Sequence, residues 1–186
     1  MSIKLITAPI IEPVTIQEQT TREYLRLDGN ESDNNVSKLL KTARETAENF
    51  QNRAYLTQTW ELSLDSYPRM PLELPRPPLQ SLVSVKLYAA DGSEVVMDIA
   101  DFIVDADSEP GRIAFKSGKT WPAIKLREIN AVKIQFKAGY TDVNKVPEMV
   151  KQAILIHAAH RFENPDGDDT PQAFYNLLWP DRIVPV

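Results

Sequence analysis

The chain has 186 residues, 42% of them hydrophobic and 25% charged, enough for one good core or two small ones and unlike a wholly disordered protein. It has no cysteine, which removes disulfides, thiolate nucleophiles and Cys-type zinc or iron-sulfur sites. A formal net charge of -5 argues against a protein whose main work is gripping nucleic-acid phosphates, since such binding needs a basic face that releases counterions.

The opening residues 1–13 contain a short apolar run interrupted by Pro9 and closed by Glu12, too short for a signal h-region or a membrane span, and are expected to form an N-terminal arm. Thr15 with Glu18 makes a capping-box pattern, so a first helix is expected from Ile16 to about Leu27, with Ile16, Tyr24 and Leu27 buried. A polar turn cluster runs from Asp28 to Asn35. Val36, Leu39, Leu40, Ala43, Ala47 and Phe50 then recur at helical spacing and predict an amphipathic helix to about Arg53.

The period changes to two at Leu56, where Leu56, Gln58, Trp60, Leu62 and Leu64 alternate with polar residues as in a half-buried strand. Prolines 68, 71, 75, 77 and 78 restrict the next stretch to an edge or a rigid connector. Val83–Leu87 reads as a strand, and Asp91-Gly92 as a hairpin turn into Glu94–Ile99. Phe102–Asp105, Arg112–Phe115 and Glu128–Phe136 continue a run of short strands. From Pro147 a helix reaches about Glu163, and Thr170-Pro171 begins a short one to Leu178.

The expected fold class is α+β: a small helical bundle from the N- and C-terminal parts with an inserted antiparallel β-rich module. The expected divisions are 1–55 for the N-terminal helices, 56–140 for the β module, 141–178 for the C-terminal helices and 179–186 for an extended apolar tail.

Three features carry candidate chemistry. His157, His160 and Glu163 follow one another at steps of three, so neighbours lie on adjacent turns and could approach one metal ion, the basis of a metal-dependent hydrolase or nuclease reading. The same helix is apolar almost all round, which suits a packed or subunit-covered element and makes Met149, Val150, Ile154, Ile156, His157 and His160 a candidate interface between copies. Leu178, Trp179, Pro180, Arg182, Ile183 and Val184 form an apolar, proline-stiffened segment that either lies on its own domain or docks on a partner.

The acidic residues Asp98, Asp101, Asp105, Asp107 and Glu109 cluster at strand turns, where paired carboxylates could bind calcium or act as general acids, though without EF-hand spacing they read as a solvated rim. Gly118-Lys119-Thr120 lacks the upstream glycine of a phosphate loop, and neither a nucleophile elbow nor a dinucleotide fingerprint is present. A third reading, a β-rich binding module supported by helices, predicts that Leu56 to Tyr140 folds alone.

A resemblance runs through most of the chain. It is carried by Pro13-Val14-Thr15, Asn52-Arg53-Ala54, Gln58-Thr59-Trp60, Pro78 through Val85, Asp91-Gly92, Val104-Asp105, Pro110 through Ile113 and Trp121-Pro122. Phe136 through Tyr140, Val146-Pro147, Ala153-Ile154 and His160 through Glu163 continue it. In this order and spacing the chain resembles the head-tail connector, or neck adaptor, proteins of tailed bacteriophages and prophages, in the branch with a β insertion between helices. It departs from them at Asn164-Pro165, where a basic residue is usual, and at His157, where an aliphatic one is.

The resemblance implies a non-enzymatic virion protein, made in the host bacterial cytoplasm, without cofactor or metal and with no membrane partner. It further implies a ring, commonly of twelve copies, beneath the portal protein and above a stopper or tail-completion protein. Duplex DNA would pass through it without sequence-specific binding, and Leu178 to Val184 would dock on the portal.

Overall fold

The structure, a computed structural model, describes residues 1–27, 29, 33–167 and 169–184. Half of the expected Asp28–Asn35 turn cluster, residues 28 and 30–32, and Pro185 and Val186 of the tail lie outside the described residues, while Asp33, Asn34 and Asn35 are already helical and not part of a turn. The elements follow the order β1 (Ser2–Thr7), α1 (Gln19–Tyr24), α2 (Asp33–Gln51), β2 (Gln58–Leu64), β3 (Leu72–Glu73), β4 (Leu79–Tyr88), β5 (Glu94–Met97), β6 (Phe102–Asp105), β7 (Arg112–Phe115), β8 (Val132–Ala138), α3 (Glu148–Glu163) and α4 (Gln172–Leu178). The fold class is α+β. Two compact units share the chain: residues 1–9 with 57–140, and residues 10–56 with 141–186.

The β unit holds a five-stranded antiparallel sheet in the order β1-β2-β8-β4-β5 and a three-stranded sheet in the order β3-β7-β6. Residues facing one another across antiparallel strands share a face, so the register sorts the side chains. Leu5, Trp60, Phe136 and Leu82 form one row and Ile3, Leu62, Ile134 and Val85 the next. On the opposite face Lys4, Glu61, Gln135 and Ser84 line up beside Ser63, Lys133, Lys86 and Val96. The apolar rows are buried at Trp60, Leu62, Leu82, Val85, Ile134 and Phe136, and Ile113, Phe102 and Leu74 complete the core.

The proline-rich stretch is held by aromatic side chains. Tyr67 stacks on Trp121 at 5.3 Å, Trp121 meets Phe115 edge-on at 4.9 Å, and the Trp121 indole donates to the Pro68 carbonyl at 3.1 Å. Gly111 is required by crowding, since a Cβ there would stand 2.3 Å from Cβ of Leu79.

In the helical unit α2 packs on α3 and α3 on α4. Val36, Leu40, Ala43 and Ala47 of α2, Val150, Ala153, Ile154 and Ala158 of α3, and Phe174 and Leu178 of α4 are buried.

Several expectations need correction. The N-terminal arm is strand β1 on the outer edge of the sheet, paired with β2, and not part of the helical unit. The first helix is only Gln19–Tyr24. Glu18 accepts from the Thr15 N–H at 3.0 Å, so the capping pair closes a turn ahead of the helix instead of starting it.

Arg26, at φ 53°, then stops the helix, with the Leu27 N–H reaching back to the Arg22 carbonyl. Tyr24 is exposed, Leu27 is half-buried, and Leu25 takes the buried place beside Ile16. The last strand begins at Val132, not Glu128, because residues 127–130 turn: Asn130 has φ 51°, its N–H donates to the Asp65 carboxylate, and its carbonyl accepts from Arg127.

Candidate functional site

Helix α3 and the C-terminal segment both belong to the helical unit. Pro147 caps α3 just ahead of Glu148, its fixed φ suiting that place, and the helix runs to Glu163. Of the six side chains expected between subunits, Val150, Ile154 and His157 are buried in the folded chain. Ile156 and His160 are half-buried and Met149 is exposed, so these three alone have surface to offer a neighbour. Helices α2 and α4 cover part of the apolar girdle and leave Leu155, Ile156 and Ala159 partly open.

His157 stands 5.2 Å from the Phe174 ring, and its Nδ1 is buried with no hydrogen-bond partner. Burial lowers its pKa, with the positive charge of Arg161 and the neighbouring His160 acting in the same direction. His157 therefore behaves as a neutral packed side chain. Among the described residues no group of three or more His, Cys, Asp or Glu side chains could hold a metal ion, and His157, His160 and Glu163 form no such group.

A neutral buried histidine makes stability depend on pH. The unfolded chain binds this proton near the ordinary pKa of about 6.5 and the folded chain only below it, so stability is full above that value and falls as pH drops from there through the depressed folded value. Replacing His157 by Leu removes this proton and the unpartnered Nδ1. Urea unfolding at pH 7.5 should show a stability equal to or above the wild type by up to about 2 kcal/mol, with a larger advantage at pH 5.5.

The C-terminal segment is laid on the end of α2. The helix closes with Asn52 at φ 56° and the Arg53 N–H bonded to the Glu48 carbonyl, a Schellman-type stop that leaves the Phe50 and Gln51 carbonyls to be satisfied. The segment supplies both donors: Arg182 Nε reaches the Phe50 carbonyl at 3.0 Å and the Ile183 N–H the Gln51 carbonyl at 2.9 Å.

In return Asn52 Nδ2 donates to the Ile183 carbonyl at 2.8 Å and Arg53 Nε to the Asp181 carbonyl at 2.6 Å. The Arg182 guanidinium lies over the Phe50 ring at 4.8 Å and near Trp179 at 5.4 Å. Leu178 is buried, Arg182 and Ile183 are half-buried, and Trp179, Pro180 and Val184 are exposed. Of the expected docking residues, the chain itself thus occupies Leu178, Arg182 and Ile183.

Beneath this contact lies a polar network on α2. Arg44, 2% exposed, contacts Glu48 Oε2 at 2.5 Å and Glu12 Oε2 at 2.6 Å. Burial opposes the Arg44 charge, and the carboxylates of Glu48, Glu12 and Glu45 outweigh it, so its pKa rises above the ordinary value. The other Glu48 oxygen accepts from the Tyr55 N–H at 2.8 Å, Tyr55 Oη donates to Gln51 Oε1 at 2.7 Å, and Gln51 Nε2 donates to the Leu178 carbonyl at 2.6 Å.

The acidic turn residues fix loops. Asp98 accepts from the Ala100 N–H, Asp101 pairs with Lys119 at 2.7 Å, and Asp105 pairs with Arg112 at 2.7 Å while accepting from the Ser108 hydroxyl. The Arg112 and Ser108 hydrogen bonds push the Asp105 carboxyl down to about 2. No helix is long and apolar enough to cross a membrane among the described residues.

No protein-family model matches the chain, and no curated protein sequence matches it. Solved structures do. A chain of the neck of an empty gene transfer agent (GTA) particle, computed with C6 symmetry, is 22% identical with a TM-score of 0.79, the match covering 100% of this chain and 97% of that one. This chain has the fold of a gene transfer agent neck chain. A chain from the neck of the native particle, computed with C12 symmetry, gives 23% identity and a TM-score of 0.77, again over 100% and 97% of the two chains. A chain of the native gene transfer agent virion gives 22% and 0.78 over the same shares. The likeness therefore extends through both units and agrees, at the level of fold, with the neck-protein resemblance in the sequence.

Proposed function

We propose that this chain is a structural, non-enzymatic component of the neck of a phage-like particle, a head-tail connector of the branch with a β insertion, located in the virion. The observation that carries the reading is the shared fold over nearly the whole of both chains, since one helical or β unit alone would say far less. The neck structures it matches were computed with six-fold and twelve-fold symmetry, which supports a ring of copies, with twelve as the expected number.

In this reading the ring joins capsid to tail, with the portal protein on one side and a stopper or tail-completion protein on the other. DNA passes through it in packaging and ejection. A twelve-copy ring of chains at -5 each carries a formal charge of roughly -60, a field that disfavours lasting phosphate contact. Subunit contacts from α3 would come through Met149, Ile156 and His160, and portal contacts through Trp179, Pro180 and Val184, the side chains with exposed surface.

Negative-stain imaging of the purified chain with its cognate portal protein tests this. Twelve-fold rings seated on the portal are expected, and ordering of the ring only on its partner is compatible with a monomer in isolation. Absence of any complex with the portal at micromolar concentrations would overturn the reading.

A further inference from the structure

We infer that neighbouring copies join through the two open edges of the five-stranded sheet, β1 of one copy adding beside β5 of the next. The inference rests on the neck-ring reading and adds the surfaces that would make it. A ring requires two different, complementary surfaces on each copy, because a head-to-tail contact never uses the same patch twice. Strands β1 and β5 are the outer members of one sheet, and four successive antiparallel pairings make them run in the same direction. Moving from copy to copy thus brings parallel edges together with the same face up.

The side chains fit such a junction. An exposed apolar edge strand invites pairing with another chain unless charge, proline or a bulge blunts it. Strand β1 has every residue exposed, with Ile3 at 36%, Leu5 at 39% and Ile6 at 43%; Lys4 is its one charge, and its pairing with β2 is regular from Ser2 to Leu5 and shifts only between Leu5 and Thr7. Ile3 and Leu5 prolong the apolar face beyond Leu62 and Trp60.

At the far edge Val95 and Met97 prolong the same face beyond Leu87 and Val85, and both are half-buried. Joining the edges would make the apolar face continuous from copy to copy. On the other face Lys4 would approach Glu94, which pairs with Lys86 of its own copy at 2.8 Å, and Asp98 just beyond it, beside the 61% exposed Val96. Strand addition uses backbone hydrogen bonds for affinity and alternate side chains for register.

The absence of native cysteine makes the test clean. Paired strands bring Cα atoms within the span of about 4.4–6.8 Å that a disulfide bridges. Three double variants sample the register: Lys4→Cys with Val96→Cys, Lys4→Cys with Glu94→Cys, and Leu5→Cys with Met97→Cys. Each is melted in reductant beside the wild type to show an unchanged fold, assembled on the portal, imaged and mildly oxidised. At least one pair should give a ladder of dimers, trimers and longer species on non-reducing gels, and the single-cysteine variants none. Rings that form normally and link copies with a lysine-reactive reagent, but show no ladder with any pair, would overturn the strand junction and leave the neck reading standing. Failure of wild type and variants alike to assemble on the portal would overturn both.

Discussion

Replacing Arg44 by Met should lower the unfolding free energy by about 3–5 kcal/mol, the cost of breaking a buried ion pair from one side. The side chain is 2% exposed and sits between Glu48, itself 5% exposed, and the partly buried Glu12. Methionine fills much of the volume but takes the guanidinium away from the buried Glu48 carboxylate, which keeps the Tyr55 N–H as a donor. That carboxylate must then take up a proton or draw in water, and both cost stability. The double variant Arg44→Met with Glu48→Gln should recover a large part of the loss. Glutamine needs no counter-charge, and its amide oxygen can still accept from Tyr55. Guanidinium denaturation of the wild type, both single variants and the double variant gives the coupling energy. A loss below about 1 kcal/mol for Arg44→Met would mean that the pair is solvated in the folded protein, as exposed pairs are.

This network also marks where the sequence stops being informative. The amphipathic pattern of α2 is legible because Val36, Leu40, Ala43 and Ala47 recur on one face, yet Arg44, Glu48 and Gln51 are buried as well. Their burial depends on partners far away, Glu12 thirty-two residues earlier and the Leu178 carbonyl 127 residues later. Charge type alone points such residues at solvent. The spacing of four between Arg44 and Glu48 was the one local hint, and it reads equally well as a surface pair.

The same contrast holds for the strands. Alternation and turn residues placed β2, β5, β6 and β7 closely, because each pattern is local. Strand β1 was hidden, since Ile3, Leu5 and Ile6 do not alternate cleanly and its partner β2 lies more than fifty residues on. The helix stops at Arg26 and Asn52 were likewise hard to place, because the left-handed position that glycine usually fills is taken by other residues. Helix α3 was found with its bounds almost unchanged. Which of its apolar residues are buried was not legible, for Ile154 and Ile156 are the same side chain on different sides of one helix.

Deleting residues 179–186 should lower stability by about 2 kcal/mol, and Trp179→Ala by much less, while both weaken attachment to the portal. The deletion removes the donors to the Phe50 and Gln51 carbonyls and the acceptors of Asn52 and Arg53, four hydrogen bonds worth about 0.5 kcal/mol each once water replaces them. The Gln51 bond to Leu178 survives, so the buried network beneath should hold. The sequence leaves open whether the tail lies on its own domain or on a partner. Its contacts with the end of α2 confound any loss of attachment seen on truncation. Trp179 separates the two effects, because it is 63% exposed and its ring meets Phe50 and Arg182 of its own chain without a side-chain hydrogen bond to the end of α2 among the described residues. Thermal melts and portal co-sedimentation of both variants make the distinction. Reduced attachment with an unchanged melt for Trp179→Ala assigns the tryptophan to the partner. Unchanged attachment for Trp179→Ala, with loss only on deletion, would make the segment a clasp for α2 and place portal contact elsewhere on the chain.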